Sequence, residues 1–293
     1  MTDSKIYLLI LEFLKPANEF NQKRFYILLS LLVLGYGIIS IVLFKIWYSY
    51  QLNVQFTWFD DSLEWNFIDK LGHAFSSFTV CRIVYQVFRW TGVPSDKNLI
   101  SSVILSWVLV SSYEIFDGIS AQYGASVFDM IANALGVSLF AAQMYFLKQI
   151  AVSFKFFTGF TTYAEMRPQL LGDSLLARII KDYNGQVYWF NFPIFSSKYS
   201  YLNFLKISIG VGAEGLLGGH DNSWVSADGL MQNYEHITRA QRFFLSFDIE
   251  FNKIRILKNT PLFLKEINSV IKLPLPGIEF HTEKGIQWRW LCI

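Results

Sequence analysis

Hydrophobic positions fall into long runs in the first half of the chain and alternate with polar ones in the second. Residues 25–44 are a run of 20 uncharged, mostly apolar positions bounded by Arg24 and Lys45. At 1.5 Å per residue such a helix covers about 30 Å, the thickness of a bilayer's hydrocarbon core. Trp47, Tyr48 and Tyr50 follow it as an interfacial aromatic belt would. A signal peptide would have a short leading segment and a small-residue cleavage site. Here about 24 residues precede the run and Lys45-Ile46-Trp47-Tyr48 follows, so the pattern predicts a retained span.

Residues 99–113 and 130–147 supply two further apolar stretches, the second closed by Lys148. Between these and the first lies 71–88, with His73 and Arg82 inside it. That stretch is too polar to insert alone, but it suits the inner helix of a bundle, where polar groups face neighbours rather than lipid. The prediction is four membrane helices: 25–48, 69–90, 98–117 and 127–150. The soluble alternative, a core burying three apolar helices, sits badly with the length of the first run.

Past residue 160 the rhythm is that of strands. Leu245, Phe247, Ile249 and Phe251 alternate with Ser246, Asp248, Glu250 and Asn252. The phase then flips to Ile254 and Ile256, which predicts a bulge near Asn252. Ile207, Ile209 and Val211 form a second alternating run, Ile286, Trp288 and Trp290 a third, and aromatic-rich residues 186–195 a fourth behind the turn signal Asn184-Gly185. Asn259-Thr260-Pro261 reads as the capped start of a short amphipathic helix reaching Lys272, ended by Pro274 and Pro276. The fold class is therefore a membrane α-helical bundle followed by an antiparallel β-rich domain with a short helix. Its segments are a basic stretch 1–24, the bundle 25–155 and the β-rich domain 156–293. Four to six strands are too few for a self-closed outer-membrane barrel, which needs about eight. The apolar strand face must pack on the helix, the bundle, lipid or a protein partner.

Composition sharpens this picture. Apolar residues make up 53% and charged residues only 16%, which excludes a disordered chain. A formal net charge of +2 gives no basic footprint for nucleic acid. Cys81 and Cys292 alone cannot build a disulfide framework or a four-thiolate zinc site. Basic residues set the orientation. Lys5, Lys15, Lys23 and Arg24 precede the first span; the loop 51–68 has no Lys or Arg but holds Asp60, Asp61 and Glu64. Arg89 and Lys97 flank the next turn, loop 118–126 is uncharged, and Lys148 and Lys155 follow the last span. The order is in, out, in, out, in, a multi-pass chain with both termini cytoplasmic where the bacterial membrane is an inner one; the rule does not apply to an outer membrane.

The chemically unusual residues are Asp69, Lys70, His73, Glu114, Asp117, Asp129 and Asn133. Asp69 and His73 are four apart, as are Asp129 and Asn133, and Glu114 and Asp117 are three apart, so each pair shares a helix face. Asp69 opens the second helix, Glu114 and Asp117 close the third and Asp129 opens the fourth. Alternating topology puts all three places at the outer, periplasmic end. Grouped carboxylates repel, so Lys70, a protonated His73, a metal ion, water or shared protons must offset them. The plainer alternative has Asp69 and Asp129 capping helices, favoured there by the macrodipole, with Glu114 and Asp117 facing loop water.

These runs resemble a known pattern. Asp69-Lys70-Leu71-Gly72-His73, Glu114-Ile115-Phe116-Asp117-Gly118 and Ser126-Val127-Phe128-Asp129 with Asn133 and Gly136 are similar to the VanZ-like family. More specifically, Glu64-Trp65 ahead of the first run, and Lys181-Asp182-Tyr183-Asn184-Gly185-Gln186 with Tyr188-Trp189 later, resemble bacterial envelope proteins described as predicted periplasmic lipoproteins. The resemblance extends from about Trp47 onward. It implies a cell-envelope role, with glycopeptide resistance for the VanZ namesake, but no established reaction. Two departures matter. The lipoprotein pattern needs a cysteine just after an N-terminal apolar run, whereas the first here is Cys81, so a membrane-spanning chain is expected. The VanZ-like third loop carries Gln and Arg; here Asp117-Gly118 begins it and no Arg lies between residues 90 and 166.

The candidate catalytic set is Asp69, His73, Glu114 and Asp129, with Lys70, Asp117 and Asn133 in support. One imidazole among carboxylates suits a divalent cation such as Mg, Mn, Zn or Fe, with His73, Glu114 and Asp129 as ligands; without metal the same groups make an acid–base pair. The expected target is an envelope lipid or lipid-linked substrate at the outer surface. The β-rich domain offers a surface for a protein partner. No GxSxG run and no Walker run is present, and Gly215, Gly218 and Gly219 read as a turn. His220, His236 and His281 read as ordinary surface or packing residues, with a grouping of His220, Asp221 and Asp228 kept open. A non-catalytic scaffold or envelope assembly factor, its polar cluster locking the helices, is the alternative function.

Overall fold

A computed structural model describes residues 13, 15–48, 55–120, 123–194, 202–226, 228–254 and 262–292. Lys5, Tyr50, Phe195, Ile256 and the helix start Asn259-Thr260-Pro261 lie outside them. The chain forms two compact units. A helical unit takes Met1–Phe59 and Ser76–Phe146, and a sheet unit takes Asp60–Phe75 and Leu147–Ile293.

Helix α1 (Gln22–Trp47) starts where Asn21 accepts the backbone N–H of Arg24 at 3.0 Å. Leu31, Val33, Leu34 and Ile38 are exposed, so this helix is apolar on faces that no other described residue covers. Helix α2 (Ile68–Trp90) contributes its first residues to the sheet unit and Ser76–Trp90 to the helical unit. Helix α3 (Ser95–Ser111) buries Asn98, Ser102 and Ser106, spaced by four, and exposes Ile100, Ile104 and Val108. Small polar residues inside and aliphatic ones outside is the pattern of helices packed in lipid. After Ser112 the chain makes a separate turn, α4 (Tyr113–Gly118). Helix α5 (Val127–Ala142) buries Asp129, Ala132, Asn133, Gly136, Val137 and Phe140 on one face and runs into a π-helical turn, Gln143–Leu147. Three stretches, Gln22–Trp47, Ser95–Gly118 and Val127–Leu147, are long and apolar enough to cross a membrane. Ile68–Trp90 is not among them; it carries Asp69, Lys70, His73, Arg82 and Arg89.

The sheet unit is built on six antiparallel strands: β1 (Ser153–Thr158), β2 (Gln186–Pro193), β3 (Leu205–Glu214), β6 (Ala240–Ile249), β7 (Gly277–His281) and β8 (Gly285–Arg289), adjacent in that order. A hairpin of β4 (Ser223–Val225) and β5 (Met231–Asn233) sits between β3 and β6 in sequence. The expected β-rich architecture is present, with more helix than expected. Three short helices, α6 (Tyr163–Met166), α7 (Pro168–Leu171) and α8 (Leu175–Lys181), link β1 to β2, and α9 (Leu262–Val270) links β6 to β7. The apparent phase flip near Asn252 is not a bulge. Strand β6 ends at Ile249, and Phe251–Lys253 is a 3₁₀ turn held by the Asn268 side chain, which accepts from Phe251 N at 2.9 Å.

The strands alternate in the opposite sense to a water-soluble sheet. Lys206, Ser208, Ser246, Asp248, Glu279 and His281 are buried, while Ile207, Ile209, Leu245, Phe247, Ile278 and Phe280 are exposed. Register aligns Phe190, Ile209, Leu245, Ile278 and Trp288 in one apolar row across five strands. On the inner face Trp189 lies across Gly210, where a Cβ would meet its ring at 2.8 Å, and packs with Val187, Phe244 and Cys292. Lys272 is buried over the Trp189 ring and donates to Leu273 O, while Lys155, Asp248 and Glu279 face opposite charges. Lys155 Nζ meets Asp248 at 2.6 Å, at an angle outside the hydrogen-bonding range, and Arg242 and Arg289 both donate to Glu279.

Candidate functional site

In the sheet unit the chain enters α2 through an unusual turn. Trp65, Asn66 and Phe67 all have positive φ, at 51°, 50° and 66°. Left-handed backbone costs an L-residue roughly 1–2 kcal/mol each, so contacts must hold the turn. Trp65 N donates to Gly219 O at 2.9 Å and its ring packs 4.8 Å from that of Tyr183. The turn delivers Asp69, Lys70 and His73 at the head of the helix. Lys70 Nζ donates to Asp61 Oδ2 at 2.5 Å and to Asp69 Oδ2 at 2.9 Å. Tyr183 donates its hydroxyl to Asp69 Oδ1 at 2.7 Å, and His73 Nε2 lies 3.8 Å from the same oxygen. Glu64 faces His220 at 3.4 Å; burial holds its carboxyl above the ordinary value, and His220 acts the other way. His220, read as an ordinary surface residue, is half-exposed and meets Glu64, not the alternative grouping of Asp221 and Asp228.

Gly72 has a packing reason to lack a side chain: a Cβ there would meet the Tyr188 hydroxyl at 2.8 Å. The segment around Tyr183 is a tight, fully buried turn. Asn184 Nδ2 donates to Leu216 O at 2.8 Å and its Oδ1 accepts from Leu216 N at 2.6 Å. Gln186 donates to Ile179 O and Ile180 O and accepts from the Tyr188 hydroxyl. Asp182 accepts from Thr161 at 2.6 Å and from Asn184 Nδ2 at 2.9 Å. Burial raises the Asp182 carboxyl above its ordinary value, although these hydrogen bonds pull it down. Folding therefore favours its protonated form. The contribution is most favourable below the unfolded pKa of about 3.9 and is lost as pH rises through the higher folded value. Asp182→Asn keeps the shape and can donate to Thr161 while accepting from Asn184. We expect it to flatten the pH dependence of the unfolding midpoint in that acid window, measured by urea titration, with no loss at neutral pH.

In the helical unit, Glu114 in α4 and Asp129 in α5 are buried, as is Asn133. Ser126 caps α5, its hydroxyl accepting from Asp129 N at 3.1 Å. Ser126 N–H donates to Glu114 Oε2 at 2.9 Å. Glu114 thus occupies the acceptor place that a capping box gives to the residue at N3, here Asp129. The plainer alternative, in which Asp129 caps the helix, does not hold, since the cap is Ser126. Asn133 donates to Ser111 Oγ at 3.3 Å, and its Oδ1 has no hydrogen-bond partner among the described residues. Asp117 accepts from the Tyr48 hydroxyl at 2.6 Å.

The seven candidate residues thus fall into two groups. Asp69, Lys70 and His73 meet in the sheet unit, joined by Asp61 and Tyr183, which the pattern of charged residues did not single out for this role. Glu114, Asp117, Asp129 and Asn133 belong to the helical unit, joined by Ser126, Ser111 and Tyr48. The signal for Tyr183 was the Lys181–Gln186 run itself. Among the remaining histidines, His281 is structural: its Nδ1 accepts from Glu283 N and Lys284 N, which leaves Nε2 facing Glu214 at 3.2 Å.

A family model described as Predicted periplasmic lipoprotein (DUF2279) matches residues 56–147, the segment that holds all seven candidate residues. Neither the curated proteins nor the solved structures give a match.

Proposed function

We propose that this is a multi-pass protein of the bacterial cell envelope, acting at the outer face of the inner membrane as an acid–base hydrolase or transferase on an envelope lipid or lipid-linked substrate. In this reading all four helices, α2 included, are membrane-embedded, in the VanZ-like order of motifs. His73 is the acid–base group and Asp69 its positioning residue; Glu114 and Asp129 are further acids, Asn133 orients, and Lys70 and Asp117 balance and support. The observation that carries it is the dressing of Asp69. Lys70 and Tyr183 each take one of its oxygens, which fixes the carboxylate beside His73, one helical turn on and partly exposed. At 3.8 Å the two are short of a hydrogen bond, and closing that gap on substrate binding would set the imidazole's orientation and tautomer. This dressing favours acid–base chemistry over a metal at Asp69, because Lys70 already supplies the cation there. A divalent ion held by His73, Glu114 and Asp129 is the other variant.

The test is turnover by the purified full chain of lipids extracted from a bacterial envelope, followed by mass spectrometry. His73→Gln should lose about 10²–10⁴-fold with an unchanged unfolding midpoint. A folded His73→Gln protein with wild-type turnover would remove the catalytic role. The scaffold reading draws on the same geometry, since Asp61, Lys70 and Asp69 form a paired ionic chain. It expects His73→Gln to be silent and Lys70→Met to be damaging.

A further inference from the structure

We infer that the bare face of the six-stranded sheet, together with the outer face of α9, lies against the hydrocarbon of a lipid leaflet. Three observations within the sheet unit carry this. First, the burial of the strands is inverted: Lys206, Ser208, Asp248 and Glu279 point inward, and the side chains between them on the other face are aliphatic or aromatic, Ile207, Ile209 and Val211 on β3, Phe243, Leu245 and Phe247 on β6, and Ile278 and Phe280 on β7. Second, α9 is inverted in the same way. Asn268 is buried and donates to Ile249 O at 3.1 Å, while Leu264, Ile267 and Ile271 are exposed. Third, the part of the face on β1 and β2 is already covered by the first two turns of α2, through Phe75 on Phe154, Phe156 and Tyr188. That covering helix runs on to Trp90.

A contiguous apolar surface of this extent is costly in water. A protein partner is the poorer fit. Protein interfaces carry about one hydrogen bond per 100–200 Å², and apart from Gln241 at the end of β6 the outward rows on these strands offer no side-chain donor or acceptor before Trp288. Lipid asks for none. Trp288 and Trp290, on and just beyond the edge strand, suit the headgroup boundary. The chain also carries three helices with the length and apolarity to cross a bilayer.

The depth follows from the rows. From Ile207 to Val211 is four residues, about 14 Å along a strand, and charged groups bound the band at both ends: Glu250 and Lys253 on one side, Glu214 and Lys284 on the other. A transmembrane strand needs about 9–11 residues. The sheet therefore rests on one leaflet with its strand ends in the headgroups, and does not cross.

The experiment uses the full chain with Cys81 and Cys292, both buried, changed to Ala. It is reconstituted in vesicles of phosphatidylethanolamine and phosphatidylglycerol. Nitroxide labels are placed one at a time by Ile209→Cys, Leu245→Cys and Ile278→Cys, with Lys284→Cys as the polar reference. The three face positions should collide more with dissolved oxygen than with a water-soluble nickel chelate, and Lys284→Cys should show the reverse order. Nickel access at the face equal to that at position 284 overturns the proposal. Protection from both reagents also overturns it, in favour of a protein or a second copy on the face. None of these readings depends on His73 being catalytic.

Discussion

Lys155→Met should cost the full chain about 3–5 kcal/mol of stability, among the largest losses any single side-chain change in the sheet would produce. Lys155 and Asp248 face each other at 2.6 Å with side chains only 2% and 1% exposed. Removing the cation leaves a carboxylate inside the sheet with its main counter-charge gone, and the price of keeping it dry is no longer offset. The pair itself is a different matter. Lys155→Met combined with Asp248→Leu should return stability to near or above that of the parent, because replacing both ions with apolar side chains removes two desolvation costs along with one attraction. A double-mutant cycle on urea unfolding of the detergent-solubilised protein measures both. A single mutant within about 0.5 kcal/mol of wild type would mean that the two groups are not buried against each other.

Gly185→Ala should cost about 2–3 kcal/mol and should disturb the candidate site from a distance. Gly185 N donates to Asp182 O at 3.1 Å, and its own carbonyl accepts from Gly159 N at 2.9 Å. A Cβ at 185 would fall against the Gly159 carbonyl oxygen, a backbone atom with no rotamer to escape by. The turn must open, and Tyr183, two residues earlier, then loses its fixed approach to Asp69. Gly159→Ala is the control: a Cβ at 159 meets nothing within 4 Å, so it should be near neutral. Unfolding midpoints of the two variants, compared side by side, check the prediction. Equal losses would show that general chain stiffening, rather than this contact, governs the turn.

Much of the helical half was legible because its spans are set by length and apolarity. Predicted helices 25–48 and 69–90 became Gln22–Trp47 and Ile68–Trp90. The break at Ser112 was not legible: Ser111-Ser112-Tyr113 contains neither Gly nor Pro, and Ser112 N still reaches Val108 O. In the sheet, alternation correctly grouped Ile207 with Ile209 and Leu245 with Phe247. It could not say which group faces inward, because a period of two marks two faces without ranking them. Lys206 and Asp248 inside is a tertiary outcome. Strands of three residues, such as Ser223–Val225, are too short to carry a period at all. For the site, spacing placed Asp69 with His73 because i and i+4 are neighbours in any helix. Tyr183 lies 114 positions further on, and only folding could bring it there.

Asp60–Phe75 packs with residues that begin at Leu147. During synthesis that stretch leaves the ribosome well before its partners exist. Trp65, Phe75 and the left-handed turn must wait unsatisfied while some seventy further residues are threaded. A chain cut after the helical unit would keep the segment but never complete its surroundings. One begun at Leu147 would make the sheet but lack the wedge that seats Tyr183 and Tyr188. Neither half is a natural module, because a stretch of sixteen residues that precedes most of the helical unit is needed to complete the sheet unit.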